Sequence, residues 1–138
     1  MANTTPYTYF DRLFCSVCGQ EFDLHQLQTY CPACNAPLLC GYDLQTAREE
    51  LDRDQFRLRE RGMWRWHELL PVFDPGAIVS LGEGDTPILP LARLGGALGM
   101  ERVFVKDESI NPTGSFKARG LAAAVSKAGE LGAARLCI

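Results

Sequence analysis

Four apolar residues follow Asp43 at roughly helical spacing, and charged residues of both signs fill the positions between them: Leu44, Ala47, Leu51 and Leu58. Asp43 is a favourable helix N-cap, and Gly62 is a favourable place for a helix to stop. The pattern therefore predicts one amphipathic helix over residues 44–61 that covers another part of the protein.

The pattern changes after Pro71 and Pro75, where glycine and proline interrupt residues 80–90 and indicate a loop with a short strand. Residues 91–98 could form a short helix. The apolar run Val103-Phe-Val105 predicts a strand over residues 102–106, and residues 107–114 form a loop. Ser115 can cap a helix, and Gly132 ends it. One face of this helix carries Leu121, Ala124, Val125, Ala128 and Leu131.

Residues 134–138 have the composition of a buried strand at its start. The order strand, helix, strand places this part of the chain in the α/β class, in which parallel strands need further strands and helices to cover them. One such unit has too small a core for stability. We therefore expect the chain to be the N-terminal part of a longer α/β protein. The alternative is a native edge strand at the true C-terminus.

Composition narrows the function classes. The 138 residues are 46% hydrophobic and 22% charged, which is typical of a soluble globular protein, and the net charge of −3 favours neither nucleic-acid nor membrane-surface binding. Residues 1–10 lack the basic and apolar regions of a signal peptide, and no apolar segment is long enough to cross a bilayer. The expected location is the cytoplasm.

Two Cys-x-x-Cys pairs, Cys15/Cys18 and Cys31/Cys34, are separated by twelve residues. Four thiolates at this spacing can surround one tetrahedral ion and leave no open position, so we predict a structural zinc ion in a small β zinc ribbon over residues 1–42. Iron is the alternative metal, and four reduced cysteines packed as small apolar groups are the alternative without metal. Arg12 is the only arginine or lysine within residues 1–42, which also contain several acidic residues. This charge balance favours a structural or docking module over a nucleic-acid binder.

Lys117 lies at the start of the last predicted helix, directly after a Pro-Thr-Gly loop. The helix macrodipole disfavours a cation there, and shielding by Phe116 in a closed fold would favour the free amine further. Such an amine can attack an aldehyde. The alternative is a solvent-exposed lysine in a first helical turn, and the physical arguments alone favour this alternative.

The stretch Lys106-Asp-Glu-Ser-Ile-Asn-Pro-Thr-Gly-Ser-Phe-Lys-Ala-Arg-Gly120 resembles the cofactor-attachment signature of the β-family of pyridoxal-phosphate-dependent enzymes. That family includes threonine synthases, serine/threonine dehydratases and cysteine synthases. Leu81-Gly-Glu-Gly-Asp-Thr-Pro87 and Trp64-Arg-Trp66 with Glu68-Leu-Leu-Pro71 resemble elements of threonine synthases, some of which begin with a zinc ribbon.

The resemblance implies a three-layer, tryptophan synthase β-like fold. The zinc ribbon would occupy residues 1–42, a linker helix and extended segment residues 43–75, and the first part of the catalytic domain residues 76–138. Lys117 would hold pyridoxal phosphate as a Schiff base and shuttle protons, with Phe116 and Ser115 beside the cofactor. Asn111 and Thr113 would shape the loop, through turn chemistry or substrate contact. The implied reaction converts O-phospho-homoserine and water to threonine and phosphate.

Two departures from the family pattern keep alternatives open. Ala118 stands where threonine synthases commonly carry Asp, and the same Lys-Ala-Arg sequence occurs among dehydratases. A serine/threonine dehydratase or another β-family lyase is therefore the first alternative. The family's loops for the cofactor ring and phosphate do not occur within these residues, so we expect the fragment alone to be inactive. A non-catalytic zinc-ribbon protein is the second alternative, and the family's frequent dimers allow a homodimer of the full-length enzyme.

Overall fold

Two small antiparallel sheets and four α-helices form residues 5–137, the part of the chain that this computed structural model describes. In chain order the regular elements are β1 (Phe10–Cys15), β2 (Glu21–Phe22), β3 (Leu38–Tyr42), α1 (Leu44–Glu50), α2 (Gln55–Leu58), β4 (Ile88–Pro90), α3 (Ala92–Leu98), β5 (Phe104–Lys106) and α4 (Lys117–Glu130). Single 3₁₀ segments cover Met63–Leu69, Pro75–Ala77 and Glu108–Ile110. None of these helices is long and apolar enough to cross a bilayer.

The first sheet has the order β2-β1-β3 and carries all four paired cysteines on or beside it. We call residues 10–42 the cysteine module. Its small core consists of Cys15, Cys31 and Ala36, against which Phe22 and Leu38 pack. Only a few apolar side chains of the module therefore pack around the two buried sulfur atoms.

The single helix predicted over residues 44–61 is wrong. Asp43 does cap α1, because its Oδ1 accepts a hydrogen bond of 3.0 Å from the Thr46 N–H. The helix then ends at Leu51, which is extended at φ −83° and ψ 122°. The Asp52 carboxylate accepts a 2.9 Å hydrogen bond from the Asp54 N–H, a local turn that competes with helical hydrogen bonding. A separate short helix, α2, follows and stops well before Gly62.

The second sheet pairs β4 with β5 in antiparallel register, with Leu89 opposite Val105. This confirms a strand within residues 102–106 and a mixed α/β class. The parallel strand expected at residues 134–138 is wrong for residues 134–137, which form no strand and leave Leu136 50% exposed. In the described residues β5 pairs only with β4, so no parallel edge is offered to them. Ile138 lies outside the described residues.

Helix α4 begins at Lys117 and ends where predicted. Gly132, at φ +84°, follows the last turn, and the Ala133 N–H donates to the Ala128 carbonyl at 2.9 Å in a Schellman motif. The predicted apolar face is only partly covered, and Leu121 on it remains 36% exposed. The residues α4 buries are Ala118 and Ser126. The spacing of apolar residues did not predict the burial of Ser126, because this side chain is polar and its hydroxyl is hydrogen-bonded to Val79.

The C-terminal half of α4 is tied to the segment before β4. The Ser126 hydroxyl accepts from the Val79 N–H at 2.9 Å. The Glu130 carboxylate accepts from the N–H groups of Phe73 and Asp74 at 2.7 and 2.6 Å. The Lys127 Nζ lies 4.3 Å from the Phe73 ring centroid and 5.5 Å from that of Phe10 in β1. Helix α4 therefore contacts the cysteine module directly. The domain division after residues 42 and 75 stays a prediction.

Glu130→Ala should destabilise the protein by about 2 kcal/mol, because two backbone N–H groups and the largely buried Lys127 ammonium lose a charged acceptor. Urea unfolding followed by circular dichroism measures the change. Glu101→Ala, at an exposed position, is the matched control and should change stability little. Equal unfolding midpoints for the two variants would contradict this role of Glu130.

Candidate functional site

The four cysteines predicted as metal ligands come together at the end of the first sheet. Their Sγ atoms all lie within 4.8 Å of one another, with Cys15 and Cys31 buried and Cys18 and Cys34 exposed. Each Cys-x-x-Cys pair is followed by a residue in the left-handed region, Gly19 at φ +74° and Asn35 at φ +52°. These residues donate their N–H to the carbonyls of Cys15 and Cys31 at 3.1 and 2.8 Å. The two pairs thus form matching knuckles.

The electrostatics of the cluster favour one thiolate. Hydrogen bonds from the backbone N–H groups of Cys18 and Val17 lower the pKa of Cys15 to about 6. The neighbouring Cys15 sulfur, 3.3 Å away, raises the pKa of Cys34 to about 12. Thiolates this close repel one another, so a bound cation is needed to ionise all four. Four soft donors in this arrangement can hold one metal ion in a closed shell, which leaves no position for a substrate.

Lys117 is the first residue of α4 and is exposed. Within residues 5–137 its Nζ pairs with no carboxylate and lies 4.5 Å from the centroid of the Phe116 ring, itself 59% exposed. The Ser115 hydroxyl accepts from the Lys117 N–H at 3.3 Å. The three predicted cofactor residues therefore share one exposed corner. The closed, shielded setting expected for Lys117 is not formed by the described residues.

The loop before Lys117 is built by turn chemistry. Asn111 is 5% exposed, and its side-chain oxygen accepts from the Gly84 N–H at 3.0 Å. Its carbonyl accepts from the Gly114 N–H at 2.7 Å, and Gly114 takes the left-handed φ of +69°. Thr113 remains exposed. Asn111 thus shapes the loop as expected, and it does so through contacts inside the protein.

Sequence reasoning missed the strongest polar contact near Lys117. Arg119 donates from Nε and Nη2 to the two oxygens of Glu108 at 2.6 and 2.8 Å, a bidentate pair. Thr86 donates its hydroxyl to the same carboxylate. The hydrogen bonds from Arg119 hold the pKa of Glu108 well below its usual range. Both charges lie within the quoted motifs, but nothing in the spacing of residues 108 and 119 indicates that they pair.

A second missed residue is Glu83, which is 1% exposed. Its carboxylate accepts from the Trp64 indole N–H and the Leu81 N–H, each at 2.9 Å, and from the Ser80 hydroxyl. Gly84 follows at φ +102°, and a Cβ there would lie 2.5 Å from the Met63 nitrogen. The stretch at residues 81–87 is therefore packed directly on the stretch at residues 64–71. The available signal in the sequence was a glutamate flanked by two glycines, Gly82 and Gly84.

Most of the chain is similar in sequence to known proteins. Residues 79–138 match the family model described as pyridoxal-phosphate dependent enzyme. The threonine synthase of Methanocaldococcus jannaschii is 41% identical over 118 residues, which cover 86% of this chain and 29% of the relative. That of Methanosarcina acetivorans is 36% identical over 121 residues, which cover 87% of this chain and 29% of the relative. That of Synechocystis sp. is 51% identical over 65 residues, which cover 46% of this chain and 17% of the relative. The family resemblance is confirmed, and the chain spans less than a third of these relatives' length.

Proposed function

We propose that the protein carrying this sequence is a threonine synthase-like enzyme that uses pyridoxal phosphate to convert O-phospho-homoserine and water to threonine and phosphate. The observation that carries the proposal is the Lys117 amine. It is exposed, has no carboxylate partner among residues 5–137 and stands at the first residue of α4 behind a hydrogen-bonded loop. The matched residues 79–138 include this loop and the start of this helix.

The residues present fit the proposed cofactor. An amine without an ionic partner can react with an aldehyde, and one aromatic ring borders it. When bound, pyridoxal phosphate supplies that aldehyde and a ring that withdraws electrons from the substrate. Lys117 would hold the cofactor covalently and later move protons through its Nζ atom. Phe116 and Ser115 would flank the cofactor from the same corner of α4.

The same proposal sets the wider architecture. Residues 76–138 would form the first part of a three-layer catalytic domain, after a zinc ribbon over residues 1–42 and a linker over residues 43–75. The enzyme would act in the cytoplasm on a small amino-acid substrate, and a homodimer agrees with the family pattern. A chain of these residues alone would be inactive, because the family's loops for the cofactor ring and phosphate are not found in its sequence.

A dehydratase acting on serine or threonine is the second candidate. It is favoured by Ala118, which is 4% exposed and stands where threonine synthases commonly carry Asp. A carboxylate in this buried place would need its own partners, so the surroundings of Ala118 are fitted to a small apolar side chain. The two candidates share the attachment chemistry and differ in the group that leaves the substrate.

For the cysteine module we propose zinc. Four cysteine sulfurs from two knuckles and a closed shell are the donor set that structural zinc prefers. The ion would stabilise a module whose own core is three small residues. It would take no part in the reaction, since all four positions around it are filled by protein.

The purified protein should contain about one zinc ion per chain, which is the stoichiometry of a four-cysteine site. Replacing Cys15 and Cys31 together by Ser should abolish zinc binding, because each knuckle loses its buried ligand. Elemental analysis by plasma mass spectrometry gives the ratio. Cys40→Ser, outside the cluster, is the control and should retain the metal. A metal-free wild-type protein with an intact fold would count against zinc.

Mixing the complete protein that carries this sequence with pyridoxal phosphate should give a visible absorbance band from the lysine–cofactor bond. Lys117→Ala should lose the band, because the attacking amine is removed. Lys127→Arg is the control and should keep it, since Lys127 is engaged with Glu130. Survival of the band in Lys117→Ala would refute the assignment of this lysine.

The substrate is decided by what the same protein releases. We expect phosphate from O-phospho-homoserine, measured with a coupled colorimetric assay, and loss of that release in Lys117→Ala. Release of ammonia from threonine or serine, without phosphate release, would replace the threonine synthase proposal by the dehydratase.

A further inference from the structure

We infer that Glu108 and Arg119 form a positioning pair that fixes the direction in which α4 presents Lys117. The inference rests on the proposed function, because it assigns a role toward the lysine that holds the cofactor. Neither residue is proposed to touch cofactor or substrate.

The pair is the centre of a saturated network. The Glu108 carboxylate accepts four hydrogen bonds, two from Arg119, one from the Thr86 hydroxyl and one from the Asn111 amide. The Arg119 Nη2 also donates to the Thr86 oxygen at 3.2 Å. A carboxylate offers about four lone-pair sites, so Glu108 has none left for the Lys117 amine. Lys106 adds a bond from its Nζ to the Thr86 carbonyl at 2.7 Å, and the charge of Glu83 also acts on Arg119.

The network joins the edge of the β4–β5 sheet to the first turn of α4. Thr86 stands just before β4, Glu108 just after β5, and Arg119 in the first turn of α4. Charge-assisted, bidentate bonds of this kind fix both distance and angle, because the guanidinium fork matches only one arrangement of the two oxygens. The pair therefore sets where the first turn of α4 lies and how that turn is rotated about the helix axis.

The direction of the Lys117 side chain depends on how the first turn of α4 is rotated about the helix axis. Residues two apart on an α-helix are separated by about 200° around its axis, so Arg119 is anchored on the side away from Lys117. The N-cap of α4, Phe116, makes no side-chain capping bond, and the Ser115 hydroxyl accepts only a local bond from the Lys117 N–H. Anchoring Arg119 thus limits the swing of Lys117 without occupying its amine.

Arg119→Met tests this most directly. In the unloaded chain we expect faster hydrogen–deuterium exchange of the backbone amides of residues 114–120, because the anchor of the first turn is lost. In the cofactor-loaded protein we expect kcat to fall by about 100-fold with little change in KM, as expected when a reacting group is misplaced. Arg93→Met, on exposed α3, is the matched control and should change neither.

Conservative variants separate positioning from general stability. Arg119→Lys keeps the charge without the fork, so its kcat should lie between those of wild type and Arg119→Met. The Glu108→Gln/Arg119→Met double variant should be no slower than the Arg119→Met single variant, because the two residues act as one unit. If Arg119→Met does not fold, Arg119→Lys decides, and wild-type kcat and wild-type exchange in that variant overturn the inference.

The outcomes also distinguish this inference from the proposed function. A visible band that survives in Lys117→Ala refutes the assignment of this lysine and the inference together, whereas the function itself is tested by phosphate release. A band lost in Lys117→Ala, with exchange and kcat unchanged in Arg119→Met, refutes the positioning pair and leaves the function standing.

Discussion

The bidentate contact between Glu108 and Arg119 is the interaction on which the candidate site depends. Antiparallel pairing of β4 and β5 brings residues that follow and precede these strands to one edge, and the contact then attaches α4 to that edge. Both side chains are less than a third exposed, so the pair is partly shielded from solvent screening. Without it, the first turn of α4 would lose its charged contact with this edge.

Helix α4 has a second anchor at its other end. Ser126 and Glu130 bind backbone groups of residues 73–79, and the Lys127 Nζ lies near the rings of both Phe73 and Phe10. The helix that begins with Lys117 therefore ends against the cysteine module. A metal ion that orders the module would also order the surface on which α4 rests. A metal bound there would then have a structural connection to the lysine and no chemical role.

Local sequence signals were sufficient where the structure is made by neighbours along the chain. The cysteine knuckles, the Asp43 cap and the Gly132 stop each depend on residues within about six positions, and all three are present. The predictions that failed have two origins, one local and one between distant residues. The break at Leu51 comes from a turn that outcompetes a weak apolar stripe. Glu108 and Arg119, or Ser126 and Val79, pair across separations that periodicity does not encode.

Large apolar side chains around β4, β5 and the start of α4 are exposed: Ile88, Leu94, Leu98, Phe104 and Phe116. Apolar surface of this extent generally marks a face that other protein covers. In the proposed three-layer fold that face would meet the rest of the catalytic domain. The rest of the domain would then cover α4 and enclose the amine of Lys117. The direction of the Lys117 side chain is already set by the contact between Glu108 and Arg119.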